Sequence, residues 1–380
     1  MPTSRFIQIH ALVSYSAALL NRDDSGLAKR LPFGGSTRTR ISSQCLKRHW
    51  RKTEDEWALS KIGPEMAVRS RKIPEERLRP DLDRAEAGSR DVRAAVVDAF
   101  ARLLYTPKAK KAPEVKDRQA LLIGEPELRY LSEKAKEIAE IATSAKEATE
   151  QVDKFFKHDE LNNLQAMLEN RRGALDGGLE AALFGRMVTS DPEANTDAAV
   201  HVAHAFTVHK EEAETDYFTV VDDLEKGTGA GGIFDTEINA GLFYLYVVID
   251  MPVLLANLAG DVPLAGKVIE HLVHLIATVS PGAKKGSTAP YAYADFVLAE
   301  AGSRQPRSLA NAFRDAVKPP SVAAAMGALG SHLAALDAMY GAREARFVAA
   351  LNSALSLPGT PPPVPLDTLA RAVAAEAVGV

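Results

Sequence analysis

The sequence predicts an α+β protein in which one sheet domain is interrupted by a helical insertion. Three observations carry this. Phe6-Ile7-Gln8-Ile9-His10-Ala11-Leu12-Val13 near the start is rich in β-branched residues and partly alternating, as strands are. From about Trp57 to Leu183 the composition shifts to Ala, Glu, Lys and Arg with few β-branched runs. Strand signals then return and culminate in Gly241 to Ile249, GLFYLYVVI. An early strand completed by late strands, with helices between, is the pattern of an α+β sheet with insertions.

Taken in order, Leu20-Asn21-Arg22-Asp23-Asp24 is a loop after the first strand. A Gly-rich loop and a short strand, Thr37 to Ile41, lead to a helix from about Ser43. In that helix Cys45, Leu46, His49 and Trp50 share an inner face, while Lys47 with Arg51 and Arg48 with Lys52 stack at i,i+4 outside. Arg90 to Leu104, Arg129 to Lys157 and Leu161 to Arg171 read as helices, separated by the basic linker Pro107 to Pro113. Phe184 to Ser190 reads as a strand and Ala198 to Val208 as a helix. Glu211 to Glu237 is a long polar excursion with hairpin character, marked by Gly227, Gly229, Gly231 and Gly232. A helix over Pro263 to Val279, a loop with Lys284-Lys285-Gly286 and a strand over Ala292 to Ala299 follow. The Ala-rich stretch Ser321 to Ala354 reads as helix by propensity, and Pro358 to Pro365 as a linker to a last short helix. An open sheet with helices on one face is also the architecture of single-strand RNA platforms.

The chain has 380 residues, of which 46% are hydrophobic, enough for a substantial core in two or three lobes. A single cysteine, Cys45, excludes an intramolecular disulfide and a cysteine zinc site. It fits a reducing compartment. Neither a signal-peptide h-region nor a run of about 18 apolar residues is visible, so a cytoplasmic protein without a membrane span is expected.

Charge is distributed unevenly. The formal net charge is −4, yet residues 29–52 hold eight Lys/Arg (Lys29, Arg30, Arg38, Arg40, Lys47, Arg48, Arg51, Lys52) and no acid. Like charges held together repel unless something negative faces them, so a local anionic partner is expected, nucleic acid first. Gly34-Gly35 would let backbone approach a ligand closely, and Ser42, Ser43 and Gln44 at a helix start would donate to phosphate oxygens.

Other candidates have simpler readings beside them. Met187 alone reads as core; exposed beside a groove it would wedge between bases. Tyr217-Phe218 either anchors a loop or meets bases or a neighbouring subunit. His201/His204 and His271/His274 have H-x-x-H spacing, but no HExxH motif accompanies them, so no metal is expected. Asp23-Asp24 and Asp222-Asp223 would make a two-metal nuclease site only if folded together; each pair also reads as turn or cap chemistry. Walker A, G-x-S-x-G and G-x-G-x-x-G fingerprints are absent.

Nine motifs in order resemble one family. L-N-R-D-D (20–24), F-G-G (33–35), R-I-S-S-Q-x-L-K-R (40–48), G-R-M-x-T-S (185–190), A-H-A-x-T-x-H (203–209), F-T-x-V-D-D-L (218–224), G-x-F-Y-x-Y (241–246), P-G-A-K (281–284) and S-L-A-N-A-F (308–313) are similar to the CasC family. CasC is the backbone subunit of the type I-E Cascade complex of CRISPR immunity. The resemblance is weak over 55–180 and after about 320.

The resemblance implies a modified RNA-recognition-motif (ferredoxin-like) palm in three parts, 1–56, 183–207 and 239–380. Helical fingers would span 57–182 and a thumb hairpin 208–238. It implies copies stacked along CRISPR RNA, a target DNA strand paired to the guide, and large, small and guide-end-capping Cascade subunits as further partners. It places guide contacts on Arg22, Lys29, Arg40, Ser42, Gln44, Lys47 and Arg51, the wedge on Met187, and the thumb aromatics on Tyr217 and Phe218. Ser36 stands where a basic residue is expected, with Arg38 as substitute. Lys108, Lys110, Lys111, Lys134 and Lys136 are candidates for holding duplex. No cofactor and no catalysis are implied. The competing readings are a metal-dependent ribonuclease using Asp23 and Asp24, and a generic single-strand-binding protein.

Overall fold

The computed structural model describes residues 4–106, 111–157, 173–187, 195–220, 232–354 and 356–379. The expected helix over Leu161 to Arg171, and Lys108, Lys110, Asp222 and Asp223, lie outside them.

In chain order the strands are β1 (Phe6–Ala18), β2 (Arg30–Phe33), β3 (Ser36–Ile41), β4 (Ala67–Ser70), β5 (Leu121–Gly124), β6 (Val200–Val202), β7 (Ala205–Thr207), β8 (Glu212–Val220), β9 (Gly232–Asp250), β10 (Ala294–Gly302) and β11 (Ala345–Ala350). The α-helices are α1 (Ser43–Lys52), α2 (Arg79–Arg84), α3 (Arg90–Tyr105), α4 (Glu125–Ile141), α5 (Ala145–Lys157), α6 (Leu179–Phe184), α7 (Met251–Asn257), α8 (Val262–Thr278), α9 (Lys285–Thr288), α10 (Val322–Tyr340) and α11 (Leu366–Val378).

Two compact units result. The first comprises residues 1–62, 200–252 and 262–380; the second comprises 63–199 and 253–261. Of the residues expected with the sheet over 183–207, the described residues 183–187 and 195–199 belong to the helical unit.

The first unit has a ferredoxin-like core built on an antiparallel sheet of order β11-β10-β1-β9-β7-β3-β2, with β6 and β8 also paired to β9. β1 is central, its Leu12 opposite Tyr244 on one side and Phe296 on the other. Alternation along a strand sends successive side chains to opposite faces. Leu12, Leu242, Tyr244, Phe296, Leu298 and Val348 pack with Leu309, Phe313 and the Ala325, Met326, Leu329 and Leu333 face of α10. The opposite face of β1 and β10 receives α8 and α11. Both faces are thus covered, and the expectation of helices on one face only is corrected.

Three further expectations change. The helix expected over Ala198 to Val208 is replaced by two short strands, Val200–Val202 and Ala205–Thr207: Val200, Val202 and Thr207 pair with β9, and this pairing outweighs the Ala and His content. The helix expected through Ala354 stops at Gly341, whose φ of 80° suits glycine. The chain then re-enters the sheet as β11, where Arg346 lies opposite Glu300. α10 also has the length and apolarity of a membrane span, which the sequence reading missed, but one face is core. Finally, Phe184 ends α6 rather than starting a strand, and Gly185 at φ 76° turns the chain out of the helix.

A buried polar network crosses the first unit. Glu300 accepts from Arg307 Nη1 at 2.7 Å and Arg346 Nε at 2.9 Å, and lies 3.3 Å from His10 Nε2. Arg346 continues to Asp337 on α10 at 2.6 Å, and His10 Nδ1 meets the Tyr244 hydroxyl at 2.8 Å. β1, β9, β10, β11 and α10 are tied together by these bonds.

The second unit packs α3, α4 and α5 around Val96, Phe100, Leu128, Leu131, Ala135 and Val152, beside the two-stranded sheet β4-β5. The helix expected over 129–157 breaks at Ala142, between α4 and α5.

Burial holds the His10 imidazole below its ordinary 6.5 despite the neighbouring carboxylate. Burial opposes ionisation of Glu300, but hydrogen bonds and charges from His10 and Arg307 prevail and hold it below the ordinary 4.5. A lowered folded value means that each contribution is complete above the unfolded value and lost on acidification. On acidification through about pH 6.5 the urea midpoint is expected to fall as His10, together with His49, His204, His274 and His332, which burial also holds low, is forced to protonate, and to fall again below about pH 4.5 as Glu300 does. His10→Gln makes the first stage smaller. A midpoint that rises on acidification contradicts the assignment.

Candidate nucleic-acid interface

The basic segment folds as a hairpin followed by a helix. Phe33 lies opposite Ser36, and Gly34 (φ 58°) and Gly35 (φ 75°) form the two-residue turn between β2 and β3. Positive φ at both positions is the type I′ geometry whose twist suits a hairpin. The close backbone approach expected at this glycine pair is made within the chain: a Cβ on Gly34 would sit 1.5 Å from the Arg314 carbonyl oxygen. F-G-G and S-L-A-N-A-F are therefore two sides of one packing contact.

Arg38 belongs to that contact and not to a ligand site. It is fully buried, and its guanidinium donates to the carbonyls of Thr207 (3.0 Å), Phe313 (3.0 Å) and Arg314 (3.3 Å). The expectation that it replaces the basic residue absent at Ser36 is corrected. Arg30, one of the eight cations of this segment, pairs with Glu211 and, at 2.7 Å, with Glu237.

The helix α1 starts at Ser42, whose hydroxyl accepts from the Cys45 N–H at 3.2 Å and whose own N–H donates to Asn21 Oδ1 at 2.9 Å. Ser42 is buried in this capping role. Leu46 and Trp50 bury the inner face. Lys47 and Arg51 are half-buried, and Gln44, Arg48 and Lys52 are exposed. Asn21 also accepts, through its carbonyl, from the Lys29 N–H at 2.9 Å, and Lys29 in turn accepts from the Arg40 N–H at 2.8 Å. One asparagine thus fixes the loop carrying exposed Arg22 against both β3 and the N-terminus of α1.

Three of the expected cations converge. Arg40 donates through Nε to the Arg30 carbonyl (3.1 Å) and through Nη1 to His204 Nδ1 (3.0 Å). Burial, and then the charges of Arg40, Lys29 and Lys47, hold the His204 imidazole below its usual 6.5. Loop, strand and helix therefore bring Lys29, Arg40 and Lys47 to one place. Cys45 sits behind them, its thiol pushed up to about 11 by burial, with Arg48 and Lys29 acting in the opposite sense. It stays a neutral packing group.

The histidine pairs do not form metal sites among the described residues, where no group of three His, Cys, Asp or Glu side chains could hold an ion. His201 lies on β6 and His204 follows it. His209 is buried, its Nδ1 against the Lys210 carbonyl (2.7 Å) and its Nε2 accepting from the Leu242 N–H (3.1 Å). His274 stacks on Trp57 at 3.6 Å, and His271 Nδ1 meets the Trp57 carbonyl at 2.9 Å. Asp23 closes its own loop, Oδ1 accepting from Ser25 and Leu27 N–H at 2.9 and 3.0 Å. Asp24 is exposed.

The excursion is a hairpin of β8 and the first half of β9. Tyr217 and Phe218 are adjacent on a strand, so they face opposite sides rather than acting as one pair. Phe218 lies opposite Phe234, with ring centroids 5.5 Å apart at 23°, and Lys284 Nζ is 5.8 Å from its ring. Lys284 also bonds Thr236, which joins the P-G-A-K loop to the hairpin. Tyr217 (62% exposed) lies opposite Asp235.

In the second unit, Arg186 is buried against Glu127 with contacts of 2.6 and 2.9 Å, and its backbone pairs with Thr196 at 2.9 and 3.0 Å. Met187, next to this anchor, is 71% exposed, so its reading as core is overturned. Lys134 and Lys136 pair with Glu137 and Glu140 on α4, and Lys111 is exposed.

A model of the CT1975-like protein family matches residues 7–361. Among solved structures, a chain of a "CRISPR RNA-guided surveillance complex, pre-nicking" is similar with a TM-score of 0.76 and 26% identity, covering 98% of this chain and 100% of that one. A chain of a "CRISPR RNA-guided surveillance complex" has a TM-score of 0.68 and 23% identity at the same coverage, a likeness of fold. No curated protein matches.

Two substitutions separate anchor from surface. Arg38→Ala strands three buried carbonyls and is expected to cost about 2 kcal/mol or more. Met187→Ala is expected to change stability by less than about 0.5 kcal/mol, as exposed substitutions do. Urea unfolding of both variants checks this; a destabilised Met187→Ala contradicts the exposed placement.

Proposed function

Because the chain belongs to the CT1975-like protein family, we propose that it is a CRISPR-RNA-binding backbone subunit of a Cascade-type surveillance complex. The observation that carries this reading is the convergence of Lys29, Arg40 and Lys47 around His204, with the Arg40 guanidinium held by a backbone carbonyl and an imidazole nitrogen. The similar solved chain named for an RNA-guided surveillance complex supports it over nearly the whole length.

Lys and Arg would neutralise guide phosphates and release counterions. With both sheet faces covered, the guide would run along the β2-β3-α1 side rather than across an open sheet. Arg22, Gln44 and Arg51 extend that surface, and Ser42 acts through α1, whose N-terminal N–H groups favour an anion. Held extended, the guide has its ordering entropy lost in advance, and base pairing to a target DNA strand then reads sequence while the protein reads backbone.

The reading extends to a type I-E complex with several copies stacked along one guide. That is a head-to-tail contact, which does not close and therefore forms a filament ended by other subunits. The β8-β9 hairpin, with Tyr217 and Phe218, would be the element that reaches a neighbour, and Met187 the wedge between bases. The subunit is proposed to be non-catalytic, since Asp23 is occupied by its own loop.

Lys47→Ala with Arg51→Ala is expected to weaken binding of single-stranded RNA and to flatten the dependence of log K on log salt by about 1.4, two phosphates at about 0.7 each. Fluorescence titrations across salt concentrations measure this; an unchanged slope contradicts the site. Incubating labelled RNA with Mg²⁺ or Mn²⁺ tests the non-catalytic assignment. Cleavage lost in Asp24→Ala would overturn it.

A further inference from the structure

His204 stood out in the sequence for its spacing from His201 and its place in A-H-A-x-T-x-H, and the structure gives it different chemistry. Arginine has donors and no acceptor. The 3.0 Å contact between Arg40 Nη1 and His204 Nδ1 therefore requires an unprotonated Nδ1. A neutral imidazole in that state carries its proton on Nε2, so the ring accepts on one side and donates on the other. The charged groups bearing on it come from three elements: Arg40 on β3, Lys29 before β2 and Lys47 on α1, all cations. The ring is exposed, so a ligand can reach it. Arg40 is held at Nε by the Arg30 carbonyl and at Nη1 by His204, which fixes its guanidinium and leaves Nη2 outside both bonds.

We propose that His204 is a nucleic-acid-binding residue that works as a neutral imidazole, orienting Arg40 through Nδ1 and donating through Nε2–H to a phosphate oxygen of the bound RNA. This rests on the reading of the basic surface as an RNA site and adds to it a contact that neutralises no phosphate. Its signature differs from that of the lysines: affinity changes while the salt slope does not. A cation at this position would repel Arg40, Lys29 and Lys47, whereas a neutral donor adds a hydrogen bond at no such cost.

The test is titration of a short fluorescent single-stranded RNA across salt concentrations at pH 7.5. His204→Ala is expected to bind about three- to tenfold more weakly, the equivalent of one ordinary hydrogen bond, with the wild-type slope. His204→Gln, whose amide can accept and donate, is expected to restore most of the affinity. Wild-type affinity in His204→Ala, a slope flattened by about 0.7 as for a lost charge, or failure of His204→Gln to rescue would each overturn the assignment. The Lys47→Ala, Arg51→Ala double variant in the same assay separates the two levels. If it too binds like wild type, the RNA site itself is wrong; if only the His204 variants do, the site stands and this inference falls.

Discussion

The interface depends on holding arginines in place without carboxylates. A carboxylate would fix a guanidinium firmly but would cancel the charge that a phosphate must meet. Arg30 shows that outcome: bound to Glu211 and Glu237, it supports the hairpin and offers little net charge. Arg40 is fixed instead by a backbone carbonyl and a neutral imidazole. The acid-free composition of residues 29–52 is what such an arrangement requires. Pre-positioned cations lose less side-chain entropy when the ligand arrives.

Those cations sit on a scaffold set by backbone contacts. Gly34 presses on the Arg314 carbonyl, and any Cβ would force the β2-β3 hairpin off the segment that also receives Arg38. Arg40 lies opposite Phe206 and Ile41 opposite Ala205, so β3 is stitched through β7 to the long strand β9. β9 runs on to form the excursion hairpin with β8. One continuous strand thus links the element carrying Phe234 to the middle of the sheet. Lys284, set over Phe218 and bonded to Thr236, braces that hairpin part-way along its length.

What was legible in the sequence follows from how local each signal is. β1, β10, α3 and α8 announce themselves by periodicity, and α1 by its Ser42 cap with Leu46 and Trp50 at i,i+4. β6, β7 and β11 were missed because they are short and, in β7 and β11, Ala-containing, and they pair with partners far away in sequence. The same holds at the site. That Lys29, Arg40 and Lys47 are basic and close in sequence was visible. That Arg38 is an anchor depends on carbonyls 169 to 276 residues away, so nothing local could reveal it. His204, 164 residues from Arg40, is equally non-local; Asn21 acts over a shorter span, on Lys29 and Ser42, and its hint was its position in an ordered motif. Met187 taken alone read as core, because an apolar residue beside Arg186 has no local mark of exposure; only the resemblance placed it at a surface, and it is exposed.

The central claim is that this chain holds a guide RNA rather than any single strand. It is tested most directly by purifying the protein with its native complex from cells carrying a CRISPR array and sizing and sequencing the bound RNA. One RNA of near-uniform length with a repeat-derived end is the expected result. A heterogeneous population matching general cellular transcripts would contradict it.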